Sequence, residues 1–429
     1  MKIKSIIASG LALAGFALCP VVRADEVTDW NQHTLTAIKT ANQSPLVASR
    51  SAAIVASSVF DAVNGIERRY DPIHVPASAP RGASRRAAAV QAAYASLVKL
   101  LPAQKADLDA KLAASMSAIA SDEAVQDNQS MLRGIAWGQA VADAIWTWRS
   151  TDGLTPAPPP FLGGNAVGQW RPTPPANLSG AGEQFGYMTP WAIPSPSAFR
   201  PPGPPALNSA EYLADYNEVK AMGNLTSPLR TADQTVSCNF WAQSTPAWLW
   251  NSIALSLVDQ NHTTLSQNAR LLAALNIAMA DAVIACWEAK YHYVFWRPIT
   301  AIPLAATDGN GGTGENLTWT TLFATPNHPE YPSGHSTVSG SGAAVLADFF
   351  GDNTAFTVYS DSATLPGVSR SFTSFSQALE EVKEARIFAG IHFRAACDDG
   401  QVTGIQVADY VLENSMQRRH GKGLSQLKR

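Results

Sequence analysis

The chain has 429 residues, 46 % hydrophobic and 15 % charged, with 31 basic against 34 acidic side chains. A net charge of −3 provides no basic surface of the kind nucleic acid requires, so a nucleic-acid partner is not expected. The length suits two or three average domains, or one large helical domain with an appendage.

Residues 1–24 read as a secretory signal. Lys2 and Lys4 form a charged start, Ile6 to Val22 is apolar, and Val22-Arg23-Ala24 fits a small-x-small cleavage site before Asp25. Cleavage there predicts a secreted or periplasmic protein with 28 basic and 34 acidic residues, a net of −6. No later stretch reads as apolar enough to span a bilayer, because charges interrupt the long helices. Of the four cysteines, Cys238, Cys286 and Cys397 remain after cleavage, with no C-x-x-C pair, and are expected as buried thiols.

The mature chain opens Ala-rich and helical in period. Helices are predicted over Leu46–Ile66, Ser84–Leu101 (stopped by Pro102), Gln104–Ile119 and Asp122–Trp148. From Thr151 to Leu207 proline clusters forbid long helices. Trp170, Phe185, Tyr187, Trp191 and Phe199 within that stretch argue for an ordered wrap rather than a linker, since disordered tracts are poor in aromatics. Helices resume over Ser209–Met222, Ser227–Gln243, Trp248–Leu257 and Leu265–Arg297. A Gly-rich loop fills 302–331, and helices follow over Ser333–Phe350, Phe375–Phe393 and Asp399–Asn414. The expected organisation is a signal (1–24), an N-terminal helical region (25–150), the Pro-rich irregular segment (151–208) and a helical core (209–429). The fold class is all-α, and no segment alternates as a strand over more than five residues.

Three short motifs in the last third carry the chemistry. Lys290 and Arg297 are seven apart. On one continuous helix they project from the same face within ~20°, about 10 Å apart along the axis, with Trp287 one turn earlier. Pro332-Ser333-Gly334-His335 leads into an apolar helix. Its N-terminus exposes free N–H groups, Ser333 can cap it or donate to an oxygen, Gly334 admits a close anion, and His335 is placed to move a proton. Arg386 and His392 are six apart and would diverge by roughly 120° on an unbroken helix, unless Gly390 breaks it. Three cations, two histidines and a Ser-Gly turn suit a tetrahedral oxyanion, phosphate or vanadate. Gly334-His335-Ser336-Thr337-Val338 lacks the last glycine and the preceding strand of a serine-hydrolase elbow.

The pattern Lys-x6-Arg-Pro, Pro-Ser-Gly-His, Arg-x5-His resembles the vanadium-dependent haloperoxidase and type 2 phosphatidic acid phosphatase superfamily. Ser49-Arg50 through Asn64, Trp170 to Pro175 and Arg230 to Gln234 extend the resemblance to its secreted haloperoxidase-like branch. The resemblance implies an all-α helical bundle around vanadate, with phosphate as a competing ligand. It makes His392 the vanadium ligand, with Lys290, Arg297, Arg386, Ser333 and Gly334 on the oxygens. His335 is the implied acid–base residue, and Lys290 the group that hydrogen-bonds bound peroxide. Trp287 and His328 line the pocket, and a histidine at 328 points to bromide or iodide rather than chloride. Hydrogen peroxide and halide are the implied reactants. The rival within the superfamily is an acid phosphatase acting on phosphate esters through a phosphohistidine at His392; a non-catalytic phosphate binder is the third reading. The family often places an aspartate four residues after the ligating histidine. Here that position is Ala396, and Asp399 sits too far along the helix to replace it, which leaves the partner of His392 open.

Overall fold

The computed structural model describes residues 25–122, 128–360, 362 and 364–419. The signal segment 1–24 lies outside the described residues, as do positions 123–127 of the helix expected over Asp122–Trp148. Among the described residues the protein is helical, with one small antiparallel hairpin. The helices are α1 (Glu26–Thr40), α2 (Pro45–Glu67), α3 (Arg85–Leu100), α4 (Lys105–Ser121), α5 (Asn128–Arg149), α6 (Ala210–Met222), α7 (Ala232–Gln243), α8 (Pro246–Asn261), α9 (Leu265–Tyr293), α10 (Pro298–Ala301), α11 (Gly334–Phe350), α12 (Phe375–Phe388) and α13 (Arg394–Asn414).

Helix α9 is the axis of the core. A Thr264/Gln267 capping box starts it, and Leu271, Leu275, Met279 and Ile284 bury apolar surface on several sides. It packs against α2, α8, α11 and α13. Helices α2 and α9 correct one sequence expectation. Both are long and apolar enough to cross a membrane, with mean hydropathies of 1.4 and 1.7, but 94 % of each apolar window is buried inside the protein. Helix α1 was not anticipated; Asp25 caps it by accepting from the Val27 and Thr28 N–H groups, and Val27, Trp30 and Leu35 enter the core. The hairpin of β1 (Phe356–Tyr359) and β2 (Ser369–Phe372) was also unforeseen, each strand having only four residues.

The helix expected from Ser227 starts at Ala232, and that expected over Trp248–Leu257 runs from Pro246 to Asn261; three further boundaries that differ from the periodicity reading shape the site. The helix expected to run to Arg297 ends at Tyr293, because Val294 turns left-handed at φ 51°. The Pro-rich segment captures the freed backbone: Trp170 N–H donates to the Val294 carbonyl at 2.7 Å, and Trp296 N–H to the Gly168 carbonyl at 2.9 Å. Lys290 and Arg297 therefore do not share a helix face; Arg297 instead caps α10. The helix expected through Phe393 stops at Phe388, and Gly390 takes φ 80°. A Cβ at Gly390 would lie 2.4 Å from the Gly223 carbonyl, so only glycine fits that turn. The last helix starts at Arg394, five residues before the expected Asp399.

Helices α11 and α13 pack at backbone distance. A Cβ at Gly404 would sit 2.0 Å from the Thr337 carbonyl. This contact holds the first turn of α11 against the middle of α13, and at the start of α13 the Ala396 carbonyl accepts from Ser333 N–H at 2.8 Å.

Candidate active site

The motifs converge at the C-terminal end of α9, the N-terminus of α11 and the α12–α13 connection. Six of the expected residues, Trp287, His328, Gly334, His335, Arg386 and His392, line one cavity of about 480 Å³. Lys290, Arg297 and Ser333 are fully buried and are not among the residues lining that cavity.

Arg297 is the hub. Its Nε donates to the His328 carbonyl at 3.0 Å and its Nη1 to the Ile391 carbonyl at 2.7 Å. Nη1 also lies 3.1 Å from His392 Nε2, and Nη2 lies 3.0 Å from His328 Nδ1. A guanidinium can only donate, so His392 Nε2 accepts and the proton of His392 is on Nδ1. His328 Nδ1 lies between the Arg297 guanidinium and the Pro329 carbonyl, which is 3.1 Å away. His392 Nδ1 lies 2.8 Å from Glu330 Oε1, which also accepts from Phe393 N–H at 3.0 Å. Glu330 thus supplies the acceptor that position 396 lacks. It fixes the histidine tautomer that leaves a lone pair on Nε2. Asp399 is engaged elsewhere, accepting from Tyr331 Oη at 2.5 Å.

Lys290 Nζ donates to the carbonyls of Pro329 and Glu330 at 3.0 Å each, and to that of Pro332. An ammonium has three donors, so all are engaged, and what Lys290 offers the site here is its charge. Ser333 Oγ accepts from Ser336 N–H and Oγ at 3.4 and 3.1 Å, which leaves its own proton free to donate. In the first turn of α11, the Gly334 and His335 N–H groups have no intrahelical acceptor. His335 hydrogen-bonds the Trp241 carbonyl through one nitrogen, while its Nε2 has no partner. Arg386 is 2 % exposed, and neither its Nε nor its Nη1 has a hydrogen-bond partner.

Burial sets the electrostatics. It pushes Lys290 down to about 8, and Arg297 and Arg386 down to about 10 each. It drives His328, His335 and His392 well below the ordinary histidine value, so their imidazoles are neutral at pH 7. It also raises Glu330 to about 8, against the pull of Arg297 and Lys290. A buried cluster of three cations and one carboxyl, with donors left open on Arg386, calls for a compact, highly charged oxyanion.

Residues outside the motifs complete the cavity. Ala181 in the Pro-rich segment accepts from Trp287 Nε1 at 3.1 Å and from Tyr291 Oη at 2.7 Å, so the wrap holds the wall of the site. Trp287 lies 5.0 Å from the His328 ring, between centroids. Glu330 was the residue the sequence reading missed. It lies five positions before His335, between His328 and the Pro332–His335 motif, but spacing gave no sign of which way its side chain turns. Cys238, Cys286 and Cys397 are free and buried, as expected.

Residues 270–421 match a profile of the VCPO second helical-bundle domain. The chain is 27 % identical over 283 residues to a vanadium chloroperoxidase of Curvularia inaequalis, a match covering 49 % of this chain and 46 % of that protein. It therefore spans under half the length of this curated relative. The crystal structure described as the first bacterial vanadium-dependent iodoperoxidase superposes with a TM-score of 0.78 at 26 % identity, covering 92 % of this chain and 98 % of that one. A holo-type bacterial vanadium-dependent chloroperoxidase shares the fold, with a TM-score of 0.68 at 20 % identity over 86 % of this chain and 92 % of that one. These likenesses and the converged motifs together support the superfamily of vanadium-dependent haloperoxidases and type 2 phosphatidic acid phosphatases.

Proposed function

We propose that this protein is a vanadate-dependent haloperoxidase, oxidising halide with hydrogen peroxide to hypohalous acid. The observation that carries the proposal is His392 Nε2. It is a neutral imidazole nitrogen, fixed from behind by Glu330, accepting from Arg297 Nη1 and set among Lys290, Arg297 and Arg386, whose Nε and Nη1 are unpartnered. Such a set fits vanadate: a nitrogen ligand, cations for the oxygens and open donors. His392 would hold the vanadium, with Arg386, Ser333 Oγ and the Gly334 N–H donating to oxygens and Lys290 and Arg297 balancing charge. Bound vanadate supplies a Lewis acid that activates peroxide without itself changing oxidation state.

The chain's own residues supply the rest. His335 is neutral with Nε2 unpartnered, so it can take the proton that hydrogen peroxide gives up and return it to the departing product. Direct donation by Lys290 requires it to release one of its three carbonyls; otherwise it acts by fixed charge. His328 lines the cavity beside Trp287. A histidine at that place, together with the likeness to an iodoperoxidase over most of the chain, supports bromide or iodide over chloride.

The rival reading, an acid phosphatase attacking phosphate esters through His392 Nε2, uses the same groups. Paired assays separate them: halogenation of a dye by vanadate-loaded protein with peroxide and each halide, and hydrolysis of an aryl phosphate without vanadate. Peroxide-dependent halogenation is expected; aryl phosphate turnover without it overturns the proposal. Export is also proposed, and N-terminal sequencing of the secreted chain should begin at Asp25.

A further inference from the structure

Arg386 and His392 can serve one oxyanion only because the chain between them leaves α12, turns at Gly390 and becomes helical again at α13. On an unbroken helix their spacing would point them roughly 120° apart. The groups that hold this turn in shape lie outside it. The Ile391 carbonyl accepts from Arg297 Nη1 at 2.7 Å, the Ala389 carbonyl from Leu322 N–H at 3.1 Å, and the Phe388 carbonyl from Arg230 Nη1 at 3.0 Å. Arg297 belongs to the site itself. Arg230 precedes α7, in the Arg230 to Gln234 run that carries part of the family resemblance but takes no part in the halide chemistry.

The Arg230 guanidinium joins two helix ends. Phe388 is the last residue of α12, and Nη1 also donates to the carbonyl of Met222, the last residue of α6, at 2.7 Å and to that of Asn224 at 2.9 Å. Nη2 donates to the Leu225 carbonyl and Nε to Thr235 Oγ1, at 3.1 Å each. The final carbonyls of a helix lack intrahelical donors and form its negative dipole end. Here two such ends meet, and their turns touch backbone to backbone: a Cβ on Gly223 would lie 2.4 Å from Gly390 Cα. Like partial charges brought together repel, and one planar, always-charged fork between them satisfies carbonyls on both sides.

We propose that Arg230 is a positioning residue for the oxyanion site. By bridging the C-terminal ends of α6 and α12 it fixes the 388–391 turn, and through that turn the placement of Arg386 and His392 around one anion. The proposal rests on the reading of those two residues as an oxyanion cage, which the haloperoxidase and phosphatase readings share. Without the bridge α12 keeps its packing against α7, α11 and α13, while the turn is free to relax and carry His392 away from Arg386.

The test is calorimetric titration of the vanadate-free full chain with inorganic phosphate. Calorimetry separates a misshapen site from a partly unfolded protein: the first raises Kd with one phosphate per chain retained, the second lowers the stoichiometry and leaves Kd as it was. Arg230→Ala should raise Kd by roughly tenfold or more, the loss typical when a group that orients a ligand-binding histidine is removed, with the stoichiometry held near one. Arg230→Lys keeps the charge but lacks the fork, so it should raise Kd by about threefold or more, and it carries the test if the alanine variant does not fold. Ser227→Ala is the control. It removes a hydroxyl that donates to the Ala221 carbonyl at 2.7 Å and accepts from Leu229 N–H at 3.2 Å, loosening the same loop without touching Phe388, and should leave Kd unchanged. An unchanged Kd in a folded Arg230 variant, or an equal loss in Ser227→Ala, overturns the proposal while the oxyanion reading stands. A wild-type chain that binds neither phosphate nor vanadate removes that reading, and the proposal with it.

Discussion

Arg386 is held in the fold at a cost, and replacing it with methionine should make the ligand-free protein more stable. Its guanidinium is buried, Nε and Nη1 lack partners, and no carboxylate pairs with it among the described residues. Burial lowers its value from 12.5 to about 10. For a base whose folded value is depressed, the full penalty applies at any pH below both values, so it is present at pH 7 and relieved only above about 10. At about 1.4 kcal/mol per unit, that penalty is about 3 kcal/mol. Arg386 lies in the last turn of α12, where the helix dipole returns up to about 1 kcal/mol. Methionine keeps most of the stem's packing, so Arg386→Met should stabilise the ligand-free protein by about 2 kcal/mol. Phosphate reverses the order. At a hundred times its Kd it stabilises the wild type by about 2.7 kcal/mol, and it should do little for the variant. Urea unfolding with and without phosphate reads both effects. A variant less stable than wild type without phosphate, or equally stabilised by it, refutes the view that Arg386 is retained for an anion.

Other substitutions probe the supports of the site. Glu330→Ala leaves His392 Nδ1 and Phe393 N–H without their acceptor and should weaken vanadate binding by roughly 10–100-fold. Phosphate binding should change less, and competition titrations giving equal losses for both anions would show that Glu330 only maintains the fold. His392→Ala should abolish peroxide-dependent halogenation; retained turnover means the site is misplaced. Gly404→Ala drives a methyl into the Thr337 carbonyl and should cost about 1–3 kcal/mol in urea unfolding, and an unchanged midpoint would show that the α11–α13 contact is loose. Asp281 is buried, accepts from the Trp191, Ala192 and Ile193 N–H groups, and is raised from 3.8 to about 6 by burial. Its contribution to stability is full below pH 3.8 and is lost as pH rises through 6. The deficit of Asp281→Asn relative to wild type should therefore shrink by up to about 3 kcal/mol between pH 4 and 7; a deficit that grows over that range contradicts the assignment.

Much of the fold was legible because long amphipathic helices advertise their period. Helices α2, α3, α6 and α11 begin and end within a residue or two of the positions read from the sequence. The errors fell where tertiary contacts override period. Val294 carries no helix-stop signal, and the chain turns there because the Pro-rich segment takes over its backbone hydrogen bonds. Lys290 and Arg297 still converge, but through a turn rather than along one helix face. The residue types of the site were legible from spacing, and the break at Gly390 was half visible as a glycine between Arg386 and His392. The partner of His392 was not, since nothing in linear order says that the Glu330 side chain turns back toward a histidine 62 positions later.

The most direct test is a vanadate titration of the metal-free protein, followed by peroxide-dependent oxidation of iodide to triiodide. Activity should rise linearly, saturate at one vanadate per chain, and fall when phosphate is added as a competitor. Iodide oxidation indifferent to vanadate, or none at saturating vanadate alongside aryl phosphate hydrolysis, would contradict the assignment of the His392 cage to haloperoxidase chemistry.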